Sequence, residues 1–274
     1  MNKENTGNRE KVTVVKVGGA VVEDPEQLAQ LLDNFSAIRG KKVLVHGGGR
    51  RATKVAAQLG IESHMVGGRR ITDEQMLSVV TMVYGGLVNK NLVACLQAKG
   101  VNALGLTGAD MDVIRSHKRP LKSVKMDDGT TQMVDFGYVG DVDYADGARF
   151  SSLLDSGITP VVAPLTHDGK GNMLNTNADT MASTVAKALA ERYDVTLIFS
   201  FEKRGVLANP DDDDSVIPVI TRTLYNKYVT DGTISGGMMP KIENALEAVE
   251  SGVKRVIITL AAAISDDTQG TTIR

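Results

Sequence analysis

The sequence holds little of what several protein classes require. It has one cysteine among 274 residues, so no intrachain disulfide can form. That residue, Cys95, lies in the apolar helical stretch 92–96, which predicts a buried thiol acting as a small hydrophobe. The formal net charge is only −2, so no global field attracts nucleic acid or an anionic membrane, and neither is expected as a partner. Local cations must therefore hold any anionic substrate.

Signals for membrane insertion, export and metal binding are also missing. No apolar run approaches the ~20 residues of a membrane span. The first ten residues are polar and lack the apolar core of a signal sequence, which predicts a short lead-in to a cytoplasmic protein. The histidines show no spacing of metal ligands, so no protein-held metal is expected; they are His46, His64, His117 and His167.

Glycine, by contrast, is abundant, with 28 residues, many of them adjacent. The β-branched run 11–17 ends at Gly18-Gly19, and the apolar run 41–46 ends at the glycines 47–49. Apolar residues at helical spacing follow each turn. This alternation predicts an α/β protein with a mainly parallel sheet and crossover helices. Ligands of such sheets bind beyond the carboxyl ends of the strands, where both turns lie.

Further along the chain, a long helical pattern over 75–99 is weakened at Gly85-Gly86. Segments 113–126 and 131–136 are predicted to form antiparallel strands around a turn at 127–130, a hairpin suited to act as a lid. A second half begins near Leu165, without a Pro- or Ser-rich linker, which favours two lobes on one continuous sheet. The apolar positions of the long helix that the pattern places on one face are Met76, Val79, Val80, Val83 and Leu87.

Two lysines stand where they need an explanation. Lys16 lies near the end of a valine-rich strand, and Lys241 falls in the first turn of a predicted helix, where a cation opposes the helix dipole. An anion in the crevice would explain both. Near another helix start, Asn175, Asn177 and Asp179 form a cluster that a single N-cap does not account for. The adjacent Arg69-Arg70 is either a solvated pair or a guanidinium fork for a carboxylate.

The nucleotide motifs leave alternatives open. No Gly-x4-Gly-Lys-Ser/Thr element exists, so a nucleotide site is not of the P-loop type. Gly47, Gly49 and Ala52 match a dinucleotide fingerprint, which would indicate an NAD-binding oxidoreductase. The acid that should end the next strand is missing, because Glu62 and Asp73 end no convincing strand. The same turn can hold any phosphate at a helix start.

In their order along the chain, five motifs closely resemble the N-acetylglutamate kinase family of the amino acid kinase superfamily. The resemblance spans about residues 11 to 273 and implies an open αβα sandwich. An N-terminal lobe, 11–164, would bind the acylamino acid, and a C-terminal lobe, 165–274, would bind ATP. The motifs are Lys-Val-Gly-Gly at 16–19, His-Gly-Gly-Gly at 46–49, Gly-Arg-Arg-Ile-Thr at 68–72, Asn-Thr-Asn-Ala-Asp at 175–179 and Gly-Gly-Met-Met-Pro-Lys at 236–241.

The resemblance also implies roles for individual residues. Lys16 and Lys241 would neutralise the transferring phosphoryl group, and Asp179 would hold both lysines. ATP would carry Mg²⁺ on its own phosphates. Arg70 would grip the substrate α-carboxylate, beside Asn175 and Asn177. Backbone N–H groups of the glycine turns would bind phosphate, with Gly48 and Gly49 also contacting the substrate; these glycines are Gly18, Gly19, Gly47, Gly48 and Gly49.

Some points stay open at this stage. Two segments depart from the pattern of the family. Where the family commonly has an aspartate-containing turn, this chain has Phe201-Glu202-Lys203-Arg204-Gly205, so nucleotide contacts there stay open. Where it often has Asp-Gly-Met, this chain has Ser235-Gly236-Gly237-Met238. The resemblance implies that arginine-inhibited relatives carry an added N-terminal helix, for which ten polar residues are too few, so a homodimer without arginine feedback is expected. The expected acceptor is N-acetylglutamate, and the alternative acceptors are N-succinylglutamate or the substrate of a sibling kinase. A non-catalytic sensor with the same fold is a further alternative. The segment 113–136 is the expected place for acyl-group specificity.

Overall fold

A computed structural model describes residues 9–126, 129–266 and 268–274. Most of the predicted lead-in and part of the predicted turn at 127–130 lie outside these residues. A central sheet of eight strands has the order β14-β16-β15-β13-β1-β2-β10-β5. Its members are β1 Lys11–Val17, β2 Lys41–His46, β5 Ala103–Leu106, β10 Thr159–Val162, β13 Asp194–Phe201, β14 Val219–Ile220, β15 Arg255–Leu260 and β16 Thr271–Ile273.

Within the central sheet, neighbouring strands run parallel from β5 through β15, and only the β15–β16 pair is antiparallel. A second sheet of four strands has the order β12-β11-β6-β9, and two hairpins complete the β structure. These smaller elements are β3 Met65–Val66, β4 Arg69–Arg70, β6 Ile114–Lys118, β7 Lys122–Lys125, β8 Thr131–Val134, β9 Gly140–Ala145, β11 Leu165–His167 and β12 Met173–Asn175.

Helices cover both faces of the central sheet. Several begin at a capping side chain that accepts backbone N–H groups. Asp24 caps the helix that starts at Pro25, and Asp73 accepts the N–H of Met76 at 2.7 Å. The helices are α1 Gly19–Glu23, α2 Pro25–Ala37, α3 Gly49–Gln58, α4 Glu74–Val80, α5 Asn89–Ala98, α6 Gly147–Asp155, α7 Ala178–Ala190, α8 Arg222–Thr230 and α9 Met238–Glu250, with a π-helical segment Thr81–Val88 joining α4 to α5.

The alternation of side chains along each strand divides the core into two layers. On β1, Val12 and Val14 pack with α6 to α9, whereas Val15 and Val17 pack with α1 to α5. Helices on both faces of a mainly parallel sheet make an open αβα sandwich, so the predicted fold class is confirmed. The sheet brings the carboxyl ends of β1, β2 and β13 to one edge.

The predicted hairpin of 113–136 is partly wrong. Its outer part exists, since β7 pairs with β8. The segment before it is not one strand, because Pro120 follows the end of β6 and cannot donate to a ladder. β6 pairs instead with β9 and β11. The second sheet therefore joins strands from before and after residue 164.

The long helix also differs from its predicted pattern. Leu87, predicted on the buried face, is 40% exposed, and Val88 is buried in its place. The π-helical segment adds one residue to the turn after Val83, so the buried position moves from i+4 to i+5. Gly85 and Gly86, which weakened the α-helical pattern, lie inside this segment.

Two further expectations change with the structure. Cys95 is exposed on α5, so the predicted buried thiol is wrong. The continuous helix Glu74–Ala98 is long and apolar enough by composition to cross a membrane, although no membrane-length run was expected. Nearly half of its most apolar window is buried inside the fold, and a core helix passes the same test. Contact with the sheet layer explains its apolar face.

Candidate active site

The site begins where two glycine turns face each other beyond β1 and β2. Gly47 donates its N–H to the Val17 carbonyl at 3.0 Å, which ties one turn to the other. A Cβ on Gly47 would lie 3.2 Å from the Gly19 nitrogen, and one on Gly19 would lie 3.7 Å from the nitrogens of both Gly48 and Gly49. Backbone nitrogens from two strand ends therefore crowd into one small volume. Glycine permits this close approach because it has no side chain.

Lys16 lies beside the first turn, near the end of β1, and a Cβ on Gly18 would lie 3.9 Å from its Nζ. Its Nζ lies 2.8 Å from Oδ1 of Asp179, with the two side chains 16% and 30% exposed. Asp179 is the second residue of α7, where a carboxylate complements the helix dipole. Asn177 caps that helix, because its Oδ1 accepts the N–H of Asp179 at 2.8 Å and of Thr180 at 3.1 Å. The pair thus joins the first strand to the first helix of the second half.

Lys241 lies on α9 and lines the same small hollow as Lys16 and Asp179. Its Nζ sits 3.8 Å from the centre of the Phe201 ring, an arrangement that favours a cation. Among the described residues it forms no ion pair within 4 Å, so the expectation that Asp179 contacts both lysines holds for Lys16 only. Burial lowers the pKa of Lys241, Asp179 opposes this shift, and Lys16 adds to it. Lys241 is therefore a partly desolvated cation without a bonded counter-ion in the described chain.

A cleft extends from the glycine turns toward the small hairpin β3–β4. Arg70 enters it from β4, donating from Nη2 to the Gly49 carbonyl and to Thr53 Oγ1, each at 3.0 Å, and from Nη1 to Ser63. The guanidinium is thereby held beside the second glycine turn. The cleft is lined by Gly19, Gly47, Gly48, Gly49, Met65, Gly68, Arg69, Arg70, Tyr84, Arg119, Val139, Pro164, Asn175, Thr176, Asn177 and Ala178.

The two asparagines of the cluster have different tasks. Asn177 uses its side-chain oxygen for the cap. Asn175 ends β12, is buried, and donates from Nδ2 to Thr72 Oγ1 at 2.9 Å, so it connects the cleft to the residue before the α4 cap. Both side chains line the cleft. None of the described lining residues of the cleft is acidic, whereas three are arginines.

Two further hollows, which share Phe201, are distinct from the cleft. The first holds Lys16, Asp179 and Lys241 together with Phe199, Ser200, Phe201, Asn244 and Ile258. The second continues from Phe201 along Lys203, Gly205, Val206, Leu207, Pro210, Thr233, Ile234, Ser235 and Met238. The polar cleft and the more apolar hollows can hold two different molecules.

Some residues of the site were not predicted from the sequence. Tyr84 is buried beneath Gly48, and burial raises the pKa of its hydroxyl while Arg70 opposes the shift. Arg119 lies in the cleft wall, bound through Nε and Nη2 to Asp141, and its buried Nη1 has no partner among the described residues. Phe201 carries Lys241 on its ring. Arg119 and Phe201 had a signal, since Arg119 falls inside the segment expected to set acyl specificity and Phe201 begins the turn 201–205 that departs from the family pattern.

The oxidoreductase alternative has no support in this geometry. Ala52 is buried on α3, as a fingerprint would require. Asp73 caps α4 and Glu62 precedes the β3–β4 hairpin, so neither ends a strand of the central sheet.

Over 9–126, 129–266 and 268–274, no cluster of three His, Cys, Asp or Glu side chains is arranged to hold a metal ion.

Comparison with known proteins identifies the family of the chain. The model of the amino acid kinase family matches residues 11–260. A protein of Bacteroides thetaiotaomicron named acetylglutamate kinase is 63% identical over 97% of this chain and 99% of its own length. A protein of Methanopyrus kandleri with the same name is 40% identical over 95% of this chain and 99% of its own.

Solved structures share the fold at lower identity. The structure of smu.665 from Streptococcus mutans superposes with a TM-score of 0.70 at 29% identity, covering 96% of this chain and 98% of that one. Carbamate kinase from Giardia lamblia bound to AMP-PNP has a TM-score of 0.63 at 15% identity, covering 97% of this chain and 98% of that one, and so shares the fold alone.

Proposed function

The chain belongs to the amino acid kinase family, and we propose that it transfers the γ-phosphoryl group of ATP to the side-chain carboxylate of N-acetyl-L-glutamate, a step of arginine biosynthesis. The product is an acyl phosphate. The observation that carries the proposal is the Lys16–Asp179 pair at 2.8 Å, beside the first of two facing glycine turns, in a chain 63% identical to a protein named acetylglutamate kinase.

The chemistry needs no general base. A carboxylate is already ionised at pH 7 and can attack phosphorus directly. The difficulty is to bring two anions together and to stabilise charge on the equatorial oxygens, which is a matter of positioning and electrostatics. In this proposal Lys16 and Lys241 supply the positive charge, and the N–H groups of the glycine turns supply fixed dipoles. Asp179 orients Lys16 and accepts no proton.

The substrates are assigned to the cleft and to the hollows. The cleft with three arginines takes the acylglutamate, whose α-carboxylate pairs with Arg70 and whose side-chain carboxylate faces the glycine turns. Asn175 and Asn177 contact the amide region of the substrate. The nucleotide binds in the hollow beyond Phe201, and its phosphates coordinate Mg²⁺. The proposed lobes are 11–164 for the acylamino acid and 165–274 for ATP.

Purified protein tests the proposal with ATP and four acceptor conditions: N-acetylglutamate, N-succinylglutamate, glutamate and buffer. Hydroxylamine traps an acyl phosphate as a coloured hydroxamate. Hydroxamate with N-acetylglutamate, and little with glutamate, is the expected result. Preference for N-succinylglutamate would keep the reaction and change the acyl group. No hydroxamate under any condition would exclude carboxylate phosphorylation.

The homodimer is a separate part of the proposal. β5 is an end strand of the central sheet, and its Leu104 is 39% exposed. The helix Glu74–Ala98, whose last part packs on β5, also exposes Met82 and Leu87. An apolar edge of this kind favours pairing with a second copy. Light scattering should give the mass of two chains for the native protein and of one for Leu104→Glu. Leu121→Glu, at an exposed apolar site on another segment, is the control that should leave the mass unchanged. A native mass of one chain would refute the pairing.

A further inference from the structure

His46 is a buried titratable group to which the proposed reaction gives no task. It ends β2, directly before the three glycines of the second turn, and its side chain is fully buried. Burial lowers the pKa of its imidazole to about 4, against an opposing effect of the Gly47 carbonyl. The ring is therefore neutral near pH 7 and cannot serve as a cation for phosphate.

The hydrogen bonds of the ring determine which nitrogen carries the proton. Nδ1 lies 2.8 Å from the Gly47 carbonyl oxygen, which can only accept, so Nδ1 must donate. Nε2 is then an acceptor, and it lies 3.1 Å from Nδ2 of Asn89. The same Nδ2 lies 2.9 Å from the Val161 carbonyl, so both of its hydrogens are used and the amide orientation is consistent.

This bond has a consequence for the next peptide. A trans peptide is planar, and its carbonyl and N–H point in opposite directions. Because His46 holds the Gly47 carbonyl toward the core, the N–H of Gly48 in the same peptide points away from the core, toward the cleft that Gly48 lines. The N–H of Gly47 is bound separately to Val17, so the turn has little freedom to rotate.

The helix determines the position of Asn89, and β5 leaves space for its side chain. It is the first residue of α5, five positions after Tyr84, and the π-helical segment between them adds the extra residue that brings positions five apart onto one side. Tyr84 packs against Gly48 while Asn89 bonds to His46. Gly105 of β5 makes room, since a Cβ there would lie 1.9 Å from Asn89 Oδ1.

We propose that His46 is a positioning residue for phosphoryl transfer: its Nδ1–H, held in that tautomer by Asn89, fixes the Gly47 carbonyl and so aims the Gly48 N–H at the reacting oxygens. The inference rests on the proposed function, since it assigns a task within the same site. His46 touches neither substrate and moves no proton during the reaction.

Two near-isosteric variants separate the two bonds of the ring. His46→Asn places an N–H donor where Nδ1 stands and keeps the bond to Gly47, whereas His46→Gln places an acceptor near Nε2 and keeps the bond to Asn89. Each variant loses one buried hydrogen bond, so similar losses of melting temperature are expected. The expected kcat of His46→Asn is within about threefold of native. For His46→Gln it falls at least about tenfold, less than the 10²–10³ of a deleted oxyanion donor.

Equal kcat for the two variants at equal stability would overturn the proposal, because a purely structural role would not distinguish them. A measurement on the native protein keeps the test valid if the variants do not fold. ¹⁵N NMR of histidine-labelled protein, with only four histidines to assign, should show His46 protonated at Nδ1 and neutral down to about pH 5. Protonation at Nε2 would refute it. The NMR spectrum does not depend on turnover. Failure of the hydroxamate assay would therefore refute the proposed function without deciding the tautomer of His46.

Discussion

Substitution of Gly48 by alanine is the sharpest test of the site, because the clash it introduces is well defined. The φ of Gly48 is 176°, outside the left-handed region that favours glycine. The new Cβ would lie 2.8 Å from Cδ1 and 3.0 Å from Cε1 of Tyr84. Ordinary contact begins near 3.4 Å, so the turn or the ring must move by about 0.6 Å.

The ring has little room to yield. Tyr84 is 5% exposed and borders the same cluster as Val88 and Leu92, so overpacking of this kind costs about 1–3 kcal/mol of the free energy of unfolding. If the turn moves instead, the Gly48 N–H leaves its position at the reacting oxygens. A lost donor of this type costs about 10²–10³ in kcat. We therefore expect Gly48→Ala to lose at least about tenfold in kcat, with a smaller change in the KM of ATP.

The assay is hydroxamate formation at saturating substrates, with the melting temperature measured in parallel. Gly86→Ala is the matched control, because Gly86 lies in the same π-helical segment as Tyr84 and its Cβ would meet nothing within 4 Å. The double variant Gly48→Ala/Tyr84→Leu relieves the clash and should recover part of the lost kcat. Native kcat in Gly48→Ala, or no recovery in the double variant when Tyr84→Leu alone is active, would refute the reasoning.

Three other predictions concern single side chains. Lys16→Met and Lys241→Met should each lower kcat by about 10²–10³ without lowering the melting temperature, and near-normal turnover in either would contradict the assigned roles. Because burial lowers the pKa of Lys241 and the reaction needs its cation, kcat should fall as the pH rises through a value below 10.5, and Lys241→Arg should move that loss to higher pH. Arg119→Met should raise the KM of the acylated substrate about tenfold while leaving that of ATP unchanged, whereas Asp141→Asn keeps the guanidinium and should change the KM less.

The sign of the Lys241 effect on stability follows from the same shift. A lysine whose pKa is lower in the folded than in the unfolded chain binds its proton more weakly when folded. The free energy of unfolding should therefore rise with pH between the folded pKa and 10.5, where only the unfolded chain still holds the proton. Lys241→Met removes this dependence, which a series of chemical denaturations at alkaline pH can measure. An unchanged slope in the variant would contradict the assignment to Lys241.

The parts of the site visible in the sequence were those fixed by local rules. Lys16 and the glycines 18–19 and 47–49 stand at strand ends, and parallel strands bring their carboxyl ends to one edge, so their proximity followed from the order of elements. Tyr84, Arg119 and Phe201 were missed because each acts through a partner distant in sequence. Arg119 bonds to Asp141 and Phe201 carries Lys241, and no periodicity records such pairs.

The long helix shows why local pattern fails at a functional site. An α-helical reading continues from Val83 to Leu87, but the chain buries Val88 instead, five residues on. A regular helix would give up either the contact of Tyr84 with Gly48 or the bond of Asn89 to His46, because residues five apart do not share a face at 3.6 residues per turn. The π-helical segment satisfies both at once. Its irregularity is therefore explained by the two supports that it brings beneath one glycine turn.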